Sequence, residues 1–270
     1  MFFMTVASPA PQDGALLDHC IARIAAGEQE AMGELYHKVR PAVYGFALSI
    51  LKNAHDAEDV LQDTLLQVWQ AAGSYHSHGK AMAWLMTITR NLSYDRLRQR
   101  ARTESLGDED WLEQLADRPA VTHEDRLTLA ALLEDLNPEE QQIVTLHALT
   151  GLKHREIAAL LELPLATVLI RPGTEKITAC MEGGDLTMEE QQMEQRIRTA
   201  MEHAAPDCLD QVLASCAGTE RKAVVPFPAK RPKRRWASLA VAAALAVMCC
   251  GAGVLRWMGL NTVDSIVTLD

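Results

Sequence analysis

Aromatic side chains make up only 5% of the 270 residues, and glycine (15) and proline (11) are sparse. With so few breakers and so little of the β-branched and aromatic enrichment that marks strands, the chain reads as mainly helical. No stretch before residue 222 alternates apolar and polar residues convincingly. The sequence has no phosphate-binding glycine loop, no metal-ligand spacing and no Ser/His/Asp-type order, so nothing in it points to an enzyme, a metal or a cofactor. Its six cysteines, Cys20, Cys180, Cys208, Cys216, Cys249 and Cys250, form no CxxC pair, and His203, Cys208 and Cys216 fall outside zinc patterns. They read as reduced thiols in a cytosolic setting. The N-terminal MFFMTVASPAPQDG lacks the basic region and the apolar run of a secretory signal, so residues 1–14 are expected to be a loose cytoplasmic tail.

What is present is a 48% hydrophobic, Ala- and Leu-rich set of amphipathic segments. Helical periodicity dominates residues 15–102, broken at Pro41, at Lys52-Asn53 and at Gly73 to Gly79, which predicts about four helices in a bundle-like domain. Residues 103–125 hold Glu104, Asp108, Glu109, Asp110, Glu113, Asp117, Glu124 and Asp125 against one Arg118, and read as an acidic linker. A second, smaller helical domain is expected over 126–180, with Asn137-Pro138 opening one helix and Gly151 closing it. The expected fold class is therefore all-α, with two small helical domains, then a helical segment and a single membrane-spanning helix.

The net charge of -10 runs against nucleic-acid binding in general, but Arg90, Arg96, Arg98, Arg100 and Arg102 are clustered, as are the bases of 230–235. On a wheel of residues 53–72, Ala57, Leu61, Leu65, Val68 and Ala72 share one face and Asp56, Asp59, Asp63, Gln67 and Gln70 the other. Asp56, Glu58 and Asp59 also suit the positive end of the helix dipole, so a plain solvated face explains part of the charge. Leu66 on the edge of the acidic stripe and Trp69 at its boundary point instead to docking on a basic protein surface. In the next segment Ala81, Leu85, Ile88 and Leu92 form one face, with Arg90, Tyr94 and Arg98 away from it. Arginines interleaved with Trp84 and Tyr94 suit phosphates and unpaired bases, and a solvated basic face is the alternative. The loop from Gly73 to Gly79 would form a flexible rim beside them.

The run Asp56-Ala57-Glu58-Asp59-Val60-Leu61-Gln62-Asp63-Thr64, then Val68-Trp69, Trp84-Leu85, Arg90-Asn91, Tyr94-Asp95 and Arg98, resembles region 2 of extracytoplasmic-function (ECF) sigma factors of bacterial RNA polymerase. The resemblance covers about Ala31 to Arg102. It implies that Asp56, Glu58, Asp59, Gln62, Asp63, Leu66 and Trp69 dock on the β′ clamp of core polymerase. It likewise implies that Trp84, Arg90, Asn91, Tyr94 and Arg98 take the melted minus-ten strand of promoter DNA.

Farther on, Leu136 to Val144 leads to His154-Arg155-Glu156-Ile157-Ala158-Ala159-Leu160-Leu161, a short Glu162-Leu163-Pro164 turn, and Leu165-Ala166-Thr167-Val168. This helix, turn and helix suit a major-groove reader. It resembles region 4 of the same family, which implies minus-thirty-five contacts from His154, Arg155, Thr167, Val168 and Arg171 and contact with the β flap. The chain departs from the family at Leu169-Ile170-Arg171-Pro172-Gly173: proline ends the second helix, so minus-thirty-five binding is expected to be weak.

Residues 188–216 suggest two short helices split at Pro206, or equally an unfolded tether, followed by a basic connection over 217–235. The uncharged run from Trp236 to Leu255 is 20 residues, about 30 Å as a helix and enough to span a bilayer; a buried Ala-rich core helix is the alternative. KRPKRR before it places that side in the cytoplasm and leaves 256–270 outside, which anchors the cytoplasmic domains to the inner membrane. The whole of 188–255 resembles a membrane-anchored anti-sigma factor, so an intramolecular contact that restrains the sigma domains is expected. A membrane-tethered DNA-binding regulator that never meets polymerase, and a helical signalling adaptor, are the competing readings.

Overall fold

The computed structural model describes residues 12–76, 79–103, 115, 118–133, 136–169 and 186–218, all within the first of two compact units, Met1–Val225. These residues are helical, with no strand among them. The expected spanning run 236–255 lies outside the described residues, among which no helix is long and apolar enough to cross a membrane.

Helix α2 (Gln29–Leu51) is the axis of the unit, and α1 (Gln12–Ala26), α3 (Ala54–Ala71) and α4 (Ala81–Thr103) pack around it. Its second half is buried on every side, including Tyr44, Phe46 and Leu48. A helix apolar all round belongs in a core, and this one gains enough from packing to run unbroken through Pro41, where the sequence predicted a break. The cost of an interior proline, about 3 kcal/mol, is of the size of one or two large buried side chains. The break at Lys52-Asn53 is as expected. Lys52 turns left-handed (φ 51°) and donates to the Leu48 carbonyl, and Asn53 caps α3 by accepting from the Asp56 N–H at 2.9 Å.

The loop after α3 is less free than the sequence suggested. Asp18 of α1 accepts from the Tyr75 hydroxyl at 2.6 Å and from the Gly79 N–H at 2.9 Å. Gly79 sits at φ 68°, where a side chain would be strained.

A second helical set follows: α5 (His123–Leu133), α6 (Pro138–Thr150), α7 (His154–Leu161) and α8 (Leu165–Leu169). Asn137 and Glu140 form a reciprocal capping box at the start of α6, and Gly151 closes it at φ 64°. The two sets are packed together: α6 lies on α2, and α7 touches α4. They are completed by α9 (Leu186–Ala204) and α10 (Leu209–Gly218). The segment expected as either a folded module or a tether is thus folded where it is described.

Candidate macromolecular interfaces

The core face read from the wheel of α3 is the buried face, with Ala57, Leu61, Leu65 and Val68 buried and Val60 and Thr64 joining them. On the other side the carboxylates already have partners. Arg96 of α4 donates Nε to Asp56 at 2.8 Å and Nη2 to Asp59, with Arg100 at 3.5 Å from Asp56. Glu58 accepts from Arg118 at 3.2 Å, and Gln62 meets Gln211 of α10 at 2.8 Å. Burial of its carboxyl and the like charge of Asp59 push Asp63 above the usual carboxylate value, against the pull of Arg96. Leu66 and Trp69 are half-buried, so they border the stripe without joining the core or standing clear of it.

On α4, Ala81, Leu85 and Ile88 are core as expected, while Leu92 is half-buried and the last turn of the core face is supplied by Thr89 and Ser93. Both hydroxyls bond back to carbonyls four residues earlier, which makes them tolerable inside. Trp84 stacks on Tyr75 with centroids 4.7 Å apart, and the Arg90 guanidinium lies 5.2 Å from the Tyr94 ring centre. Asn91 is exposed, as is Arg98, which pairs with Asp95 one turn back. The structure thus gathers Trp84, Arg90, Asn91, Tyr94 and Arg98 along one helix as an arginine and aromatic surface, and assigns Arg96 to the acidic helix instead.

In the second set, α7, a left-handed Glu162 (φ 59°) and α8 form the helix-turn-helix. Arg155 is exposed and Thr167 half-exposed, whereas the His154 ring rests 5.0 Å from that of His147. Val168, expected among the minus-thirty-five contacts, is fully buried. The described part of α8 ends at Leu169, and Arg171 with the Pro172 break lies outside the described residues.

Two family models match the chain: sigma-70 region 2 over residues 35–103 and sigma-70 region 4 over 126–169. Residues 35–103 and 126–169 are thus similar to regions 2 and 4 of the sigma-70 family. The relatives are ECF sigma factors. The ECF RNA polymerase sigma factor SigK of Mycolicibacterium vanbaalenii is 27% identical over 185 residues, covering 65% of this chain and 94% of that protein. SigE of Mycolicibacterium smegmatis is 37% identical over 157 residues, covering 54% of this chain and 60% of its own length. Among solved structures, CnrH in complex with the cytosolic domain of CnrY aligns with a TM-score of 0.44 at 27% identity, covering 62% of this chain and 97% of that one. Sigma factors act in transcription initiation without enzymatic chemistry. Helices α9 and α10 lie outside both matched ranges.

Helix α9 runs against both sigma domains. Its apolar stripe, Met193, Ile197, Ala200, Met201 and Ala204, is buried against α2, α5 and α6. Gly45 makes this close packing possible: a Cβ there would stand 2.7 Å from Leu149 of region 4 and 3.0 Å from Met201 of α9. Polar contacts surround the stripe. Arg198 donates to the Ala148 carbonyl at 2.8 Å, Arg196 pairs with Glu124, and His147 lies 3.5 Å from Glu194. His203 Nδ1 lies 2.9 Å from Asp125. Although burial raises the Asp125 carboxyl, its hydrogen bonds with His203 and Thr122 prevail and hold it below the usual value.

The turn between α9 and α10 sits in a socket of region 2. The Tyr36 hydroxyl donates to the Pro206 carbonyl at 3.0 Å and accepts from the Cys208 N–H at 2.8 Å. Arg40 reaches the side chain and carbonyl of Glu202, and Arg118 donates to the Ala204 carbonyl at 2.6 Å. Two arginines therefore meet the carbonyl end of α9, where the helix dipole is negative. Helix α10 then lies along α3 and α2, with Val212 and Cys216 buried. The buried thiols Cys20, Cys208 and Cys216 are free, and burial pushes that of Cys216 up to about 11.

Sequence reasoning missed Tyr36, Arg40, Arg96 and Arg118. Arg96 carried a signal only as one base of a clustered run, and Arg118 as the lone Lys or Arg in an acidic linker.

Proposed function

We propose that this chain is an ECF-type sigma factor held silent by its own C-terminal helices. The acidic face of α3 docks on the β′ clamp of core polymerase through Asp56, Glu58, Asp59, Gln62, Asp63, Leu66 and Trp69. Trp84, Arg90, Asn91, Tyr94 and Arg98 of α4 receive the unpaired minus-ten strand, and His154, Arg155 and Thr167 approach the minus-thirty-five element. Helices α9 and α10 act as the anti-sigma segment, and residues 236–255 anchor it in the inner membrane.

The reading is carried by the placement of α9 and α10 on both sigma domains at once, α10 along the polymerase-docking helix. The packing of region 4 against region 2 points the same way. Promoter elements centred near −35 and −10 are about 25 base pairs apart, roughly 85 Å at 3.4 Å per step. That is about twice the width of a compact domain of 200 residues, so domains in mutual contact cannot reach both elements. Tethering makes the inhibition efficient, since a covalently linked segment competes at roughly millimolar effective concentration.

Run-off transcription with core polymerase tests this. Full-length chain is expected to support little promoter-specific product, and deletion of 186–270 or the substitution Met201→Glu to raise it at least tenfold. Equal activity of all three would remove self-inhibition. Failure of the deletion variant to bind core polymerase at low salt would remove the sigma-factor reading itself.

A further inference from the structure

Arg118 touches three things that belong to different parts of the molecule. Its guanidinium lies 5.4 Å from the ring centre of Tyr44, Nη1 donates to the Ala204 carbonyl at the end of α9, and Nη2 donates to Glu58 on the acidic helix. Its side chain is 19% exposed and that of Glu58 is 27%, so these contacts are largely withdrawn from solvent. Tyr44 is fully buried, and burial pushes its hydroxyl up to about 12; the ring is a fixed wall for the guanidinium. A planar fork stacked on an aromatic face has little freedom left, so the position of one N–H edge fixes the other.

We infer that Arg118 couples the state of the acidic helix to the grip on α9, so that whatever takes Glu58 away also loosens the C-terminal helices. The inference rests on the proposed self-inhibition and adds a route for relieving it. Arg40 and Tyr36 also hold the α9–α10 turn, but both stand on α2 and contact nothing on α3 in the bonds described above. Arg118 is different because its second anchor is a residue of the proposed polymerase surface. A basic group of polymerase that bonds Glu58 competes with the Nη2 contact and frees the guanidinium to turn. The carbonyl of Ala204 then loses a charged donor at a largely buried site, the kind of hydrogen bond whose loss changes an equilibrium by roughly tenfold or more. Polymerase would thus release α9 through the linker, in addition to displacing α10 from the face it covers.

Hydrogen exchange of the full chain in detergent reads the coupling directly, through amides of residues 197–206 with those of 42–48 as a control for the fold. No hydrogen bond described here joins Glu58 to α9, yet Glu58→Gln is expected to speed exchange over 197–206 several-fold. Arg118→Ala is expected to speed it by about tenfold, and Arg118→Lys to match it, because an ammonium cannot span both acceptors. In the Arg118→Ala background, Glu58→Gln should add nothing. Wild-type rates over 197–206 in Glu58→Gln, or effects of the two changes that add, would overturn the coupling. Adding core polymerase should speed exchange there by a larger factor in the wild type than in Arg118→Ala, and an equal factor in both would overturn the coupling. If core polymerase binds no variant, the sigma-factor reading falls while the variant series still decides the coupling.

Discussion

Asp63 shows what an acidic stripe costs at the scale of one residue. Its carboxyl is raised by burial and by Asp59, so folding favours its protonated form. The sign follows from linkage: a folded value above the unfolded one means that the native state holds more protons, so stability is lost as pH rises through that window. Asp63→Asn is therefore expected to raise Tm at pH 7, with the difference shrinking as pH falls toward the ordinary value of 3.8. The gain should be small, since the Asp63 side chain is only partly withdrawn from solvent, which screens its charge. Thermal melts from pH 3 to pH 7 check this, and an equal Tm gap at every pH would refute it. A carboxylate kept at a cost to stability on an outward face is what a docking residue looks like, and the same variant should weaken core polymerase binding. Asp125 carries the opposite sign. Its carboxyl is held low by His203 and Thr122, so its contribution is full above 3.8 and is lost as pH falls below it.

At the scale of elements, the periodic pattern marked residues 15–102 as helical and bounded α3 and α4, because a stripe repeating every 3.6 residues is a local property, but it did not separate α1 from α2 at Gly27. It also named the buried face of α3, the break at Lys52-Asn53 and the helix start at Asn137-Pro138. The rest of what it missed is non-local. Pro41 ends a helix by every local rule, and α2 continues because neighbouring helices cover it. Arg96 reads as one base in a run of five, and only the crossing of α4 over α3 turns it to Asp56 and Asp59. Val168 follows the threonine of the expected recognition helix and is buried, a placement set by tertiary packing that the local pattern does not carry. The candidate surfaces were thus legible as helices and sides of helices, while their internal partners were not. Asn53→Ala tests the local part. Removing the side-chain acceptor of α3 should cost about 1 kcal/mol of stability, read by urea unfolding with an unchanged m-value. A loss below about 0.3 kcal/mol would show that the buried face alone sets where the helix starts.

For the molecule as a whole, the question is what keeps the closed arrangement shut. Polar pairs are the visible candidates, each with one side chain at least a third exposed: Arg196 with Glu124, His203 with Asp125, Arg40 with Glu202 and His147 with Glu194, the histidine pairs being ionic only when the imidazole is protonated. Exposed pairs contribute about 0–1 kcal/mol each and weaken with salt. Met193, Ile197, Met201 and Val212 are nearly or fully buried, and each contributes about 1.5–3 kcal/mol. The apolar stripe therefore outweighs the pairs, and salt should not open the protein. Raising sodium chloride from 50 mM to 1 M is expected to change hydrogen exchange over residues 197–206 by less than about threefold. Met201→Glu at 50 mM should raise it by more than a hundredfold, because an unpaired carboxylate placed beside Gly45 and Leu149 costs several kcal/mol. If salt alone produced the larger change, electrostatics would be the lock, and release by a charged surface on polymerase would need no help from Arg118.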